Sequence, residues 1–510
     1  MAGTAGDPGD RLHHLARRLQ HARLGGAGVP AVHALHPDRG PRAGALRLAA
    51  RRTGDPAAPP LVRQLPLCLH RVLHRVQEPC RPRLPAQGAH RRAQVGDHPA
   101  AGSGPGGERV SGAPNGPAPN GTTAGAPAKT RYQLDVYRAL AATAVAVFHA
   151  YQFNRTGEWP LEGTVWHELL LGTDMFVAMF FVLSGFLLGI PVARAALGDS
   201  PPRPARVFLA KRVARLVPAY FAVVLIVWTL TNPELPGNWQ DLVLHLTFTH
   251  VYSDTYIFWT DGPAWSLADE MHFYLLLAIL GPLAYKACRR LASRRARLAV
   301  LLGGVGTLAA ASLTYKIVAG FVNDVPKDAW SVWFGPVAKL DLFAIGLLMA
   351  VAAAGGVRLN QRWKRAASAI CGAGLIVVAH LTKPPGNQPE VFMHTIVATG
   401  CALVIASTTL IPGAPPRLLS WRPLVTVGLA SYSLYLWHEP ILRLLGTSGL
   451  LPEKGSGWAF GVTAVLLLAL AIPVALISYH AIEKTGMKLA ATLDSRGRAR
   501  DYYPGHAVHV

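Results

Sequence analysis

The sequence predicts an all-α, polytopic membrane helix bundle with about ten transmembrane helices and both termini in the cytoplasm. Three observations support this prediction. From Leu134 onward the chain is a series of apolar stretches of about twenty residues, the length that an α-helix needs to cross ~30 Å of hydrocarbon. Lys and Arg are concentrated in alternate connecting segments. The composition also changes abruptly near residue 130, where the apolar stretches begin.

The first 130 residues are a different kind of sequence. There is no Tyr, Trp, Phe or Ile before Tyr132 and no Lys before Lys129, whereas Arg, His, Pro, Ala and Gly are abundant. Such a composition has little with which to build a hydrophobic core. Two interpretations remain open. The segment is either a disordered cytoplasmic extension or a spurious leader, translated from GC-rich DNA in a wrong frame, with the true start near Val110.

Other features of the composition exclude several classes of protein. No early apolar stretch is followed by a small-residue cleavage site, so no signal peptide is predicted and the first membrane helix must direct insertion. The five cysteines show neither a CxxC pair nor zinc-ligand spacing, which predicts no disulfide framework and no metal. The formal net charge of +22 comes mostly from the leader and the basic loops, and it is poor evidence for nucleic-acid binding.

Ten apolar segments are predicted to span the membrane. They are residues 134–154, 167–190, 213–231, 265–285, 298–318, 333–355, 366–382, 391–411, 424–446 and 458–481. One set of connecting segments holds 23 Lys and Arg residues, whereas the alternating set holds four. The basic set comprises residues 191–215, 286–297, 358–365 and 412–422 and the tail after 483. Because basic residues near membrane helices stay in the cytoplasm, this set is predicted to be cytoplasmic, including the tail at 486–510.

The connecting segment 232–264 is longer than the other non-basic segments. It contains an apolar piece, Leu242 to Thr249, that is too short to span the membrane. This piece is predicted to be re-entrant or interfacial. Its aromatic neighbours also suit a belt at the level of the lipid headgroups.

Two ionisable residues lie inside the first predicted span. His149 lies about 22 Å from the cytoplasmic end of that helix at ~1.5 Å per residue, and Arg138 lies on nearly the same face, about 16 Å below. Ionisable groups at membrane depth are costly and usually functional. The alternative is that Arg138 extends to the interface and that His149 makes a hydrogen bond between helices.

Six sequence blocks follow one another in order along the predicted helices. They are Arg138–His149, Phe180–Phe186, Arg212–Tyr220, Trp265–Tyr274, Lys339–Gly346 and Ser431–His438. The first has the form Arg-x10-His, the third contains RxxR-x-x-P, and the fourth reads WSL-x-x-E-x-x-FY. Together they resemble acyltransferase family 3, a bacterial family of membrane O-acyltransferases. The chain departs from the family pattern at His272, where Gln is more frequent, and at Lys339, where Arg is frequent.

The resemblance assigns roles to nine residues. It implies a catalytic group of His149, Arg138 and Glu270. It further implies that acyl-CoA, the donor substrate, is bound by Arg212, Arg215, Trp265 and Ser266, and that the acceptor is bound by Tyr435 and His438.

The residue chemistry fits several of these roles. Arg212 and Arg215 suit the phosphates of CoA, although the preference for cytoplasmic positive charge would also place them there. Glu270 lies about one turn inside an apolar helix, where it should pair with a cation, either to orient a catalytic group or as a purely structural ion pair. Tyr435 and His438 share one helical face, and they could line an acceptor site or simply join helices. Ser184 lacks a GxSxG elbow, so Ser184-Gly185 is predicted to permit close helix approach.

The resemblance implies transfer of an acyl group, acetyl in the first place, from cytoplasmic acyl-CoA to a hydroxyl at the plasma membrane. The acceptor classes are a sugar, a cell-envelope glycan, a glycolipid or a macrolide-like natural product. His149 would act as a general base or form an acyl-histidine intermediate, and the sequence leaves both open. Because little sequence follows the last span, acceptor selection is expected within the membrane portion.

Two other functions are compatible with many membrane helices. A membrane transporter would also use many helices and buried charges, but no pair of Gly- or Pro-broken helices in corresponding halves supports it. An inactive acyltransferase-like scaffold is disfavoured because both Arg138 and His149 are retained.

Overall fold

The structure is a computed structural model, and it describes residues 128–381, 390–411 and 416–492. Apart from one isolated bridge between Thr156 and Glu158, the regular structure of these residues is helical. The predicted all-α class is therefore confirmed for this part of the chain. The predicted leader, the start near Val110 and the end of the predicted tail lie outside the described residues.

The α-helices are numbered in chain order. They are α1 (Ala128–Phe153), α2 (Val165–Leu171), α3 (Val177–Leu197), α4 (Ala205–Thr231), α5 (Trp239–Leu246), α6 (Ala264–Arg289), α7 (Arg294–Ile317), α8 (Trp330–Trp333), α9 (Leu340–Gly355), α10 (Arg362–Leu381), α11 (Glu390–Thr409), α12 (Arg422–Leu429), α13 (Ser431–Thr447) and α14 (Gly457–Ser478). Short 3-10 turns occur at Gly172–Phe176, His250–Tyr252 and Arg417–Ser420, and π-helical turns at Val318–Val322 and Tyr479–Glu483.

Seven helical stretches of the described residues are long and apolar enough to cross a membrane. They are Val165–Leu197, Ala205–Thr231, Ala264–Arg289, Arg294–Val322, Arg362–Leu381, Val391–Thr409 and Gly457–Thr492. Large apolar side chains such as Ile370 and Val465 are about two-thirds exposed on them, as expected for surfaces that face lipid. The chain is a multi-pass membrane protein. Each predicted span overlaps at least one helix, but the count of ten and the cytoplasmic termini stay predictions.

Three predicted spans differ from the structure. The span 333–355 contains only the 16-residue helix Leu340–Gly355, because α8 and a turn occupy its first part. The span 424–446 is not one helix, since Ala430 has non-helical backbone angles, φ −92° and ψ 8°, and separates α12 from α13. The span 134–154 is helical, but Asp135, Arg138 and His149 lower its hydropathy below that of the seven stretches.

Helices α3 and α9 pack backbone against backbone. A Cβ atom at Gly185 would lie 2.3 Å from the Phe343 carbonyl oxygen, and one at Gly346 would lie 2.2 Å from the Val182 carbonyl oxygen. Only glycine permits this approach, as is common where membrane helices meet. The close approach predicted for Ser184-Gly185 is thus confirmed.

A buried ion pair joins α7, α9 and α11. Lys316 Nζ lies 2.7 Å from Asp341 Oδ2, and both side chains are almost fully buried. The same carboxylate accepts hydrogen bonds from Ser312 (2.9 Å) and Thr395 (2.5 Å). Asp341, which lies in the Lys339–Gly346 block, therefore has a structural partner 25 residues away.

The segment between α4 and α6 folds over the end of the bundle from which α6 begins. Helix α5 has eight residues and is too short to cross the membrane. Its Asp241 and His245 are fully buried, and the His245 ring stacks on His250 with centroids 4.0 Å apart. Thr260 donates a hydrogen bond to Asp241, which anchors the residues that lead into α6.

Candidate active site

Two histidines from helices distant in sequence meet inside the bundle. His149 lies near the end of α1, and His438 lies in the middle of α13. The distance between His149 Nδ1 and His438 Nε2 is 2.8 Å, and the ring centroids are 4.9 Å apart. His438 is fully buried, and its Nδ1 lies 3.3 Å from the Leu434 carbonyl oxygen.

These contacts assign the tautomers of both neutral rings. The Leu434 carbonyl can only accept a hydrogen bond, so His438 carries its proton on Nδ1 and leaves Nε2 as an acceptor. The hydrogen between the two rings must then belong to His149 Nδ1. His149 Nε2 is left with a free lone pair, which is the form that a proton acceptor requires.

Two further polar residues extend this site. Tyr435 lies one turn before His438, with ring centroids 5.7 Å apart, and its hydroxyl accepts a 2.8 Å hydrogen bond from Ser266 Oγ. We call His149, His438, Tyr435 and Ser266 the histidine cluster. Trp265 is buried beside Ser266, and it packs edge-on against Phe334 at 4.6 Å. The structure therefore brings Ser266, a predicted donor-binding residue, to the predicted acceptor-binding Tyr435.

A second polar group lies nearer the start of α1, at Arg138. Its members come from α1, α4 and α6, and we call it the arginine cluster: Arg138, Arg212, Arg215, Glu270 and Tyr274. Arg138 lies 3.2 Å from Asp135 and interacts electrostatically with Arg215 and Glu270. Glu270 Oε1 accepts hydrogen bonds from Ser184 Oγ (2.5 Å) and Tyr274 OH (2.6 Å). Glu270 was predicted to pair with a cation; its hydrogen bonds here come from two hydroxyl groups, and its interactions with Arg138 and Arg212 are electrostatic.

One arginine atom in this cluster has no hydrogen-bond partner within the described residues. Arg212 Nε is buried and makes no hydrogen bond with that part of the chain. A buried guanidinium nitrogen left in this state is a candidate donor to an anionic ligand.

The two clusters are separated along α1 and α6. Arg138 and His149 are eleven residues apart on α1, about 16 Å at the rise of an α-helix. On α6, Ser266 and Glu270 are one turn apart. Each of these helices therefore contributes to both clusters. Within the described residues, no group of three or more His, Cys, Asp or Glu side chains is arranged to hold a metal ion.

The family profile described as an acyltransferase domain matches residues 131–480, which include both clusters. The chain belongs to this acyltransferase family. The match confirms the resemblance that the six sequence blocks predicted.

Several relatives of this acyltransferase are membrane or O-acetyl-transferring proteins by name. The "Putative membrane-bound transacylase BcsY" of Komagataeibacter xylinus is 26% identical over 377 residues, which cover 71% of this chain and 84% of the relative. The "Putative peptidoglycan O-acetyltransferase YrhL" of Bacillus subtilis is 27% identical over 69% of this chain and 54% of the relative. The "O-acetyltransferase OatA" of Staphylococcus aureus is 25% identical over 71% and 59%. No solved structure was found to match.

The acyltransferase structure adds residues that the sequence reasoning missed. Glu483, in the π-helical turn after α14, is fully buried, accepts a 2.5 Å hydrogen bond from Ser433 and interacts electrostatically with Arg138 and Arg215. Tyr274 lies at the end of the Trp265–Tyr274 block, and its hydroxyl bonds to Glu270. The sequence did contain one indication that Glu483 is functional, because its carboxylate directly follows an apolar span. Its partners, however, lie on three other helices, and sequence spacing does not identify them.

Proposed function

We propose that this acyltransferase moves an acyl group, acetyl in the first place, from acyl-CoA to a hydroxyl group of a glycan or glycolipid of the cell envelope. The observation that carries the proposal is the hydrogen-bonded pair of His149 and His438. It supports a neutral His149 with a free Nε2 inside the membrane bundle, where a proton acceptor for an alcohol is needed.

The proposed chemistry balances with the residues at hand. The acceptor hydroxyl gives its proton to His149 Nε2 while its oxygen forms the ester bond to the acyl carbon. The carbon–sulfur bond of the thioester breaks, and the CoA thiolate leaves and takes the proton from His149. In the alternative sequence of steps, His149 Nε2 first accepts the acyl group and then passes it to the hydroxyl. Both sequences require the same tautomer.

The arginine cluster supports the donor part of the proposal. Arg212 and Arg215 would bind the CoA phosphates, and the buried Arg212 Nε supplies a donor with no partner in the described residues. Asp135, Glu270 and Glu483 hold the guanidinium groups in place before the donor arrives. The pantetheine arm would then extend over the ~16 Å that separates the arginine cluster from His149.

The relatives support the class of acceptor. Two of them are named for O-acetyl transfer, and one of these for peptidoglycan as its acceptor. The Tyr435 ring lies 5.7 Å from the His438 ring, and its hydroxyl, which is bonded to Ser266 and to the Pro263 carbonyl oxygen, keeps acceptor capacity that suits a hydroxylated substrate.

The test is an assay of the purified full-length chain with radiolabelled acetyl-CoA and envelope glycan or glycolipid fractions. The wild type should transfer label and release CoA, whereas His149→Ala should lower turnover about 10²- to 10⁴-fold, the usual contribution of a general base. His480→Ala is the matched control. His480 is exposed and bonds through Nδ1 to the carbonyl four residues earlier, but it belongs to neither cluster. Substantial turnover by His149→Ala with both substrates saturating would refute the proposal.

A further inference from the structure

The ion pair of Glu439 and Arg443 connects α13 to the segment before α6, beside the histidine cluster. Glu439 Oε2 accepts a 2.5 Å hydrogen bond from the Gly262 backbone amide, and Oε1 accepts bonds of 2.6 and 3.0 Å from Arg443. Arg443 also donates to the Thr260 carbonyl oxygen at 3.0 Å. The Glu439 carboxylate is therefore held on both of its oxygens, and it directly follows His438 in the chain.

Few charged groups face His149 from the elements packed around it. From α13, Glu439 and Arg443 interact electrostatically with His149, and His438 makes the hydrogen bond described above. From the segment before α6, Asp261 is fully buried beside Glu439. Burial and the neighbouring Glu439 carboxylate raise the pKa of Asp261 well above its usual range. Glu439 and Arg443 form an ion pair, with 2.6 Å between Arg443 Nη2 and Glu439 Oε1, and so supply the anion and the cation of this group.

The proposed reaction creates a positive charge where the bundle is apolar. Once His149 has taken the hydroxyl proton, the two imidazoles share one positive charge. An uncompensated buried cation is strongly unfavourable, whereas a fixed carboxylate nearby offsets that cost. His438 alone cannot offset it, because a neutral imidazole carries no charge.

We propose that Glu439 is a positioning residue of the acyl-transfer reaction and that its fixed carboxylate stabilises the protonated His149–His438 pair. The inference rests on the proposed role of His149 as proton acceptor. Arg443 has two opposite effects. It holds the carboxylate in place, and its own positive charge opposes protonation of the same pair.

These opposite signs define the experiment, which is the pH dependence of kcat/KM for the full-length chain in proteoliposomes. Glu439→Gln keeps the side-chain shape and an oxygen for the Gly262 amide but removes the negative charge. The acid limb of the profile should move to lower pH by about one unit, a shift typical of one nearby charge. Arg443→Gln removes the cation and should move the acid limb to higher pH. Asp261→Asn removes a carboxyl group whose raised pKa favours the neutral form, and it should leave the midpoint unchanged.

If Glu439 only holds the segment before α6 against α13, the pH dependence should not change. A folded Glu439→Gln protein with reduced activity whose acid limb keeps its wild-type midpoint would overturn the inference. If Arg443→Gln does not fold, Glu439→Gln alone decides, because glutamine is nearly isosteric with glutamate. The two proposals also fail separately. An active His149→Ala removes the proposed function, whereas an inactive His149→Ala together with an unshifted Glu439→Gln removes only this inference.

Discussion

His149 Nδ1 lies 2.8 Å from His438 Nε2, although 289 residues separate the two histidines in the chain. The bond to the Leu434 carbonyl fixes the proton on the far side of His438 and thereby directs the lone pair of His149 away from its partner. The ability of His149, on α1, to accept a proton therefore depends on His438, on α13.

His438 should be replaceable only by another hydrogen-bond acceptor. In His438→Phe the buried Nδ1–H of His149 loses its partner, which costs about 1–3 kcal/mol, so kcat should fall roughly 5- to 150-fold. His438→Gln offers an amide oxygen and should recover part of that loss. The measurement is kcat with saturating acetyl-CoA and acceptor. Equal kcat values for the two variants would contradict the acceptor role.

Arg215→Ala should weaken donor binding rather than turnover. A charge-assisted contact to a phosphate is worth about 1.5–3 kcal/mol, so the KM for acetyl-CoA should rise about tenfold or more with kcat nearly unchanged. Arg138 belongs to the same cluster; it should behave like Arg215 if it binds the donor's arm, and like His149 if it positions the thioester. Arg203→Ala is the control, since Arg203 is an exposed basic residue of the loop before α4. If Arg215→Ala lowered kcat and left the KM for acetyl-CoA unchanged, Arg215 would act in the chemical step and not in donor binding.

Lys316→Met should destabilise the bundle strongly. The substitution leaves Asp341 buried without its cation, at a cost of about 3–5 kcal/mol. The double variant Lys316→Met/Asp341→Asn should recover much of that loss, because it leaves no charge behind. Thermal unfolding of detergent-purified protein measures both effects. A double variant no more stable than the single one would argue against a paired role.

Gly185→Ala should disturb the contact between α3 and α9. Its Cβ would lie 2.3 Å from a backbone oxygen, and overpacking of this kind costs about 1–3 kcal/mol. Gly303→Ala is the matched control in α7, because no atom lies within 4 Å of a Cβ there, and it should be neutral or slightly stabilising. The unfolding midpoints of the two variants should differ in this direction, and equal midpoints would contradict the close approach.

The orientation of the bundle can be measured by cysteine labelling. In a cysteine-free background, a single Cys in place of the exposed Glu453 should react with an impermeant reagent added to intact cells, and one in place of the exposed Arg295 should not. Permeabilised cells provide the control that both positions are reactive. The reverse pattern would invert the predicted topology.

The sequence by itself determined the helical class, the membrane location and the family. Each of these properties depends on short stretches of sequence. About twenty consecutive apolar residues predict a helix that can span the membrane, and six ordered sequence blocks predict the acyltransferase family. Arg138 and His149 could be placed about 16 Å apart because both lie on one helix, whose rise is constant. Ser184-Gly185 predicted a close helix contact because small residues allow one in any bundle.

Only the tertiary structure decided which helix faces which. The rotation of each helix depends on packing against all of its neighbours, so neither the contact between His149 and His438 nor the bond between Ser266 and Tyr435 follows from spacing along the chain. The break at Ala430 and the short α9 were invisible to hydropathy, which does not register backbone angles. The partners of Glu439 and Glu483 also depend on the tertiary structure. The fold brings Gly262 to Glu439 and Ser433 to Glu483, and these contacts suggest a function for each buried carboxylate.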